Sequence, residues 1–125
     1  MIKGIDHIEL IVRNVDEFVE MFQKLGFEVI TRTAHHGHSA ELKLPGENQP
    51  IFEIHQVSGE ENIGMNHIAL LVDELGKKYI DLNKKGIKFE SDPHLVKTTG
   101  RTIVNFRDPD GWRLQLVDTK REKTE

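Results

Sequence analysis

The sequence predicts an α+β fold made of two tandem βαβββ modules. Three observations carry this. The stretch Gly4-Ile5-Asp6-His7-Ile8-Glu9-Leu10-Ile11-Val12 recurs sixty residues later as Gly64-Met65-Asn66-His67-Ile68-Ala69-Leu70-Leu71-Val72, with five of nine positions identical. Recurrence at a fixed offset marks a duplicated unit. Each copy is followed by one segment of helical periodicity and then by short β-rich runs. The helix ends also align, Phe22-Gln23-Lys24-Leu25-Gly26-Phe27 with Leu82-Asn83-Lys84-Lys85-Gly86-Ile87. The resulting division is a first module over 1–57, a linker over 58–63, a second module over 64–119 and a frayed tail over 120–125.

The elements follow in order. Ile5 to Val12 is rich in Ile, Leu and Val and reads as a strand. Alternation puts Ile5, His7, Glu9 and Ile11 on one face and Asp6, Ile8, Leu10 and Val12 on the other. Asn14 or Asp16 offers a helix cap; Phe18, Val19, Phe22 and Leu25 follow at helical spacing and Gly26 stops them. Phe27–Thr33, Ala40–Leu44 and Pro50–Gln56 read as three strands. The polar segment Ala34-His35-His36-Gly37-His38 and the turn Pro45-Gly46-Glu47-Asn48-Gln49 separate them. In the second half Met65–Val72 is the strand with His67, and Tyr79, Ile80 and Leu82 lie on an amphipathic helix ending near Gly86. Ile87–Glu90 reads as a strand, Ser91–Thr99 as a polar loop, and Arg101–Phe106 and Trp112–Asp118 as strands joined by the turn Asp108-Pro109-Asp110-Gly111.

Composition narrows the function classes. The chain has 125 residues, 37% of them hydrophobic, which is enough for a core. No apolar run approaches the roughly 18 residues of a membrane-spanning helix. Met1-Ile2-Lys3-Gly4 enters strand-like sequence directly, which predicts no secretory leader and a cytoplasmic location. Cysteine is absent, so disulfides and thiolate chemistry are excluded. Acids outnumber bases 21 to 17 and the bases are dispersed, which argues against nucleic acid as a partner. A small-molecule substrate is the expected partner.

The candidate chemistry comes from the repeat. His7 and His67 occupy matched places, and so do Glu53 and Gln115 in the last strands of the two modules. Curved sheets with these residues inward would enclose a metal-sized pocket. Two imidazoles and a carboxylate suit one divalent ion of Zn, Ni, Co, Mn or Fe, with Gln115 as a weaker neutral oxygen donor. Gln115 reads equally as a pocket-lining amide, and Glu53 as an acid paired with Arg or Lys. Glu9 and His55 share the strand faces of His7 and Glu53 and are candidate substrate contacts. Arg101 is a candidate contact for an anion, with a surface salt bridge as the alternative. His35, His36 and His38 form a polar segment that offers metal ligands or simply a solvated loop.

From Ile5 to about Asp118 the chain resembles the vicinal oxygen chelate superfamily, which includes glyoxalase I, methylmalonyl-CoA epimerase, fosfomycin-resistance proteins, extradiol dioxygenases and bleomycin-resistance proteins. Asp6-His7-Ile8, Asn66-His67-Ile68-Ala69-Leu70, Gly100-Arg101 and Phe106-Arg107-Asp108-Pro109-Asp110-Gly111 carry the likeness. It implies metal ligands at His7, Glu53, His67 and Gln115, and a homodimer. Family enzymes usually carry Glu where this chain has Gln115, which leaves Glu53 as the carboxylate to move a proton. The resemblance implies a glyoxalase-type metal-dependent lyase or isomerase acting on a small oxygenated substrate, such as a 2-oxoaldehyde thiol conjugate. Its alternatives are an acyl-CoA epimerase, with Gln and Glu exchanged between modules, and a metal-free drug-sequestering protein of the bleomycin-resistance type.

Overall fold

Local signals and long-range pairing build two copies of one βαβββ plan. The computed structural model describes residues 2–33 and 38–122. Within them lie β1 (Ile2–Val12), α1 (Val15–Lys24), β2 (Glu28–Thr33), β3 (Ser39–Lys43) and β4 (Ile51–Gln56). The second copy follows as β5 (Gly64–Val72), α2 (Leu75–Lys84), β6 (His94–Val96), β7 (Arg101–Arg107) and β8 (Arg113–Arg121). The chain divides into an N-terminal unit, His7–Asn66, and a C-terminal unit of Met1–Asp6 with His67–Glu125.

In the N-terminal unit the strand order is β2-β3-β4-β1. The β1–β4 pair is parallel and the other two are antiparallel, so the sheet is mixed. Asn14 is the residue that caps α1: its Oδ1 accepts the Glu17 N–H at 3.0 Å. The helix buries Val15 and Val19 against Val12, Ala40, Leu42 and Ile54. Phe22 stacks on Phe18 at 4.3 Å and meets Phe27 and Phe52. Leu42 and Ile54 are fully buried, and shortening either to Ala costs about 2–5 kcal/mol. Gly26 and Gly86, at φ +104° and +96°, end the two helices in the left-handed conformation that glycine adopts without penalty.

In the C-terminal unit the order is β5-β8-β7-β6, with β5–β8 parallel and the rest antiparallel. Helix α2 packs Leu75, Tyr79 and Leu82 over Val72, Val104, Phe106 and Leu116; Ile80 faces outward, 55% exposed. The turn is the expected one: Asp108 Oδ1 accepts the N–H groups of Asp110 and Trp112, both at 2.9 Å.

Two sequence expectations change here. Ile87–Glu90 is not a strand; it makes one isolated bridge, Phe89 to Phe106. The third strand lies instead at His94–Val96, inside the segment expected to be a loop. Side-chain burial explains the shift. Phe89 is drawn onto Tyr79 and Phe106, with ring centroids 4.8 and 5.3 Å apart, and Ile87 packs beneath α2. Ladder pairing resumes only after Pro93, which has no N–H to offer.

Candidate functional site

Each sheet has one face under its helix and one face turned from it, and the candidate residues occupy the second. In the N-terminal unit alternation places His7, Glu9 and Ile11 of β1 there, with Ile51, Glu53 and His55 of β4 and Ser39 and Glu41 of β3. The register ties them into rows. Glu9 pairs with Glu53, and Glu53 pairs with Glu41, so three glutamates cross three adjacent strands. All three are buried, as are His7 and His55. His7 pairs with Ile51, one step diagonally from Glu53, a separation long side chains bridge.

His55 has no solvent exposure. Its Nδ1 lies 3.2 Å from Glu9 Oε1 and its Nε2 3.0 Å from Glu61 Oε2. Carboxylate oxygens at both ring nitrogens are best met by an imidazolium that donates twice. Burial opposes the charged ring, but the hydrogen bonds and charges of Glu9 and Glu61 outweigh it and raise the pKa above its ordinary value. Glu61 is fixed in turn, since its Oε1 accepts the Ser58 backbone N–H at 3.0 Å. His55 and Glu9, read as substrate contacts from the sequence, are thus bonded to each other.

The C-terminal unit repeats the frame with different chemistry. Ala69 pairs with Gln115, and Gln115 with Asn105. His67 therefore stands to Gln115 as His7 stands to Glu53, again on the diagonal and again buried. Gln115 Nε2 donates to Asn105 Oδ1 at 3.0 Å. Around this pair the face is apolar, with Ala69, Ile103 and Val117 packed beside Leu71 and Val96. Arg101 is buried, not a surface residue, and its Nε lies 3.5 Å from Asp6 Oδ2.

Each unit thus presents one buried imidazole and one buried side-chain oxygen on the same diagonal. Neutral imidazole with carboxylate or amide oxygen is a donor set that divalent transition metals accept, so the residues present fit the group the resemblance implies. Among the described residues neither unit contains three or more His, Asp or Glu side chains placed to hold a metal alone. His38 is half exposed and its Nε2 is 3.8 Å from Asp16 Oδ1. His35 and His36 lie outside the described residues.

Comparison with known proteins supplies the family. The profile of the Glyoxalase/Bleomycin resistance protein/Dioxygenase superfamily matches residues 4–116. The chain belongs to this superfamily. The uncharacterised Bacillus subtilis protein YwbC is 28% identical over 118 residues, covering 89% of this chain and 94% of that one. Among solved structures, a variant of Streptomyces coelicolor methylmalonyl-CoA epimerase in complex with 2-nitronate-propionyl-CoA superposes with a TM-score of 0.79 at 23% identity, covering 98% of this chain and 99% of that one. Methylmalonyl-CoA epimerase from Mycobacterium tuberculosis gives a TM-score of 0.79 at 18% identity, over 95% of this chain and 89% of the other. These likenesses establish a shared fold for this superfamily member.

Three residues of the site face were not singled out in the sequence. Glu41 was legible: Ser39, Glu41 and Lys43 alternate with Ala40 and Leu42, which puts Glu41 opposite the apolar side. Asn105 shares its face with Ile103 by the same parity, but its partner depends on register. Glu61 gives no periodic signal, because it reaches His55 from a connection and not from a strand.

Proposed function

We propose that the chain is a metal-dependent lyase or isomerase of the glyoxalase type. Its substrate would be a small oxygenated molecule, such as a 2-oxoaldehyde thiol conjugate, that gains and loses a proton on the carbon beside a carbonyl. The observation that carries this reading is the repeated diagonal of buried imidazole and buried oxygen, His7 with Glu53 and His67 with Gln115.

These four side chains would hold one divalent ion, of Zn, Ni, Co, Mn or Fe. When bound, the ion supplies positive charge that stabilises negative charge on a substrate oxygen. The chain's own residues do the rest. The imidazoles and Gln115 are neutral donors; Glu53 brings the one carboxylate of the set and is the group that takes and returns the proton at its oxygen. Glu9 and Glu41 flank Glu53 in the same row and keep that face acidic. Burial of the row excludes bulk water from the carboxylates. Arg101, buried and paired with Asp6, would be the contact for an anionic part of the substrate.

A second reading, an acyl-CoA epimerase, draws on two observations. One is Gln115 itself, which makes the donor set two His, one Glu and one Gln. The other is the set of structural neighbours that are methylmalonyl-CoA epimerases.

The test has two arms. Protein purified without added metal is analysed for its elements, and proton exchange from deuterated water into hemithioacetals and acyl thioesters is followed by NMR. Stoichiometric metal lost in His7→Ala or His67→Ala supports the centre, and the substrate that exchanges chooses between the two readings. Failure to take up metal at millimolar supply sinks both and leaves the drug-sequestering alternative. Sedimentation tests the expected homodimer.

A further inference from the structure

We infer that Asn105 is a positioning residue that turns the Gln115 carboxamide so that its oxygen, and not its nitrogen, is presented as a ligand. The inference rests on the reading of Gln115 as part of a metal centre and extends it to a residue that would never touch the ion.

The argument begins with what an amide offers. Its oxygen binds cations; its NH2 group donates hydrogen bonds and binds none. The two ends are nearly the same size, so packing alone cannot tell them apart, and a half-turn about the last side-chain bond exchanges them. A glutamate has no such ambiguity, because both its ends are oxygen. Replacing the usual carboxylate by Gln115 therefore creates an orientational problem that a glutamate ligand does not have. Asn105 solves it. It is the register partner of Gln115 on β7, and its Oδ1 takes the Gln115 Nε2 hydrogen at 3.0 Å. With the nitrogen drawn toward β7, Oε1 is turned the other way, toward β5. There the register partner is Ala69, whose methyl group cannot compete for it, and His67 stands two residues before Ala69 on the same face. In the N-terminal unit the equivalents of Gln115 and Asn105 are Glu53 and Glu41, which have no amide to orient.

Asn105→Leu and Asn105→Asp separate this role from mere packing. Metal-free protein is titrated with Co(II) chloride and followed by its visible absorption. The Gln115 side-chain NH2 protons, assigned by their loss in Gln115→Glu, are followed by NMR without metal. Asn105→Leu is expected to weaken Co(II) binding about 10–100-fold, the usual effect of removing a ligand's supporting hydrogen bond, and to release the held amide proton to faster exchange. Asn105→Asp keeps the acceptor and should restore both. Unchanged Co(II) affinity and unchanged amide exchange in Asn105→Leu would overturn the inference. Absence of Co(II) binding in the unsubstituted protein would remove the metal centre, and the amide protons would still decide whether Asn105 holds Gln115.

Discussion

The two units share a frame and differ in charge. In the N-terminal unit the row that crosses β1, β4 and β3 is Glu9, Glu53 and Glu41; in the C-terminal unit the same row is Ala69, Gln115 and Asn105. His55 corresponds by register to Val117, since each is the partner of the strand residue four past the repeat-matched histidine. One face is therefore three acids with a histidine held between carboxylates, and the other is an amide pair in an apolar patch. The helix-side faces, by contrast, are both aliphatic and aromatic. A duplicated module can thus keep the packing that folds it and change only the face turned from its helix. The histidines are the exception: His7 and His67 remain on that face in both copies.

The comparison can be broken most completely at those histidines. If the two halves serve one centre, His7→Ala and His67→Ala should each abolish stoichiometric metal uptake, measured by elemental analysis. Loss in one variant alone would mean that only one unit binds. The next largest effect is on stability. His55→Val removes the ring that bonds buried Glu9, and breaking such a pair costs about 3–5 kcal/mol. Adding Glu9→Ala turns the row toward the chemistry of Ala69 and Val117 and should recover much of the loss, because a buried ion pair is often replaceable by apolar groups. Urea denaturation of the single and double variants measures both.

A third change sharpens the asymmetry at the oxygen donors. Gln115→Glu should tighten divalent metal binding and confer or raise proton exchange on a hemithioacetal, whereas Glu53→Gln should weaken both; isothermal titration and NMR exchange report them. A smaller effect concerns pH. The pKa of His55 is raised in the folded chain, so its contribution to stability is complete below the unfolded value and is lost as pH rises through the folded one. The urea midpoint should fall across that alkaline-side window, and His55→Val should flatten the fall. The smallest effect lies outside the rows: Lys3 and Asp73 form an exposed pair at 3.0 Å, and Lys3→Ala should cost no more than about 1 kcal/mol.

What was legible in the sequence follows the same division. The repeated stretch marked the two β strands with their histidines, period-two alternation grouped His7 with Glu9 and Glu53 with His55, and the repeat matched Gln115 to Glu53; in the structure none of these joins the helix-side clusters. The α1 cap and the turn at Asp108 were readable because they depend on near neighbours. Pairing across distance was not. Glu61 reaches His55 from a connection, Asn105 meets Gln115 only through register, and Phe89 leaves its strand to fill a core. In each case the deciding contact joins segments whose mutual position no local pattern encodes.

The two helix starts carry a further consequence, for the order in which the chain folds. Helix α1 is closed by Asn14, a residue beside its own first turn. Helix α2 is preceded by Glu74, which is in the left-handed conformation and supplies no side-chain cap, and the Leu75 N–H is taken instead by Asp118 at 3.0 Å. The first helix therefore has its start signal close by in sequence, while the second takes its own from β8, across a long loop. During synthesis the N-terminal copy has all its local instructions as soon as it emerges. Its twin depends on Asp118, at the far side of its own unit in sequence.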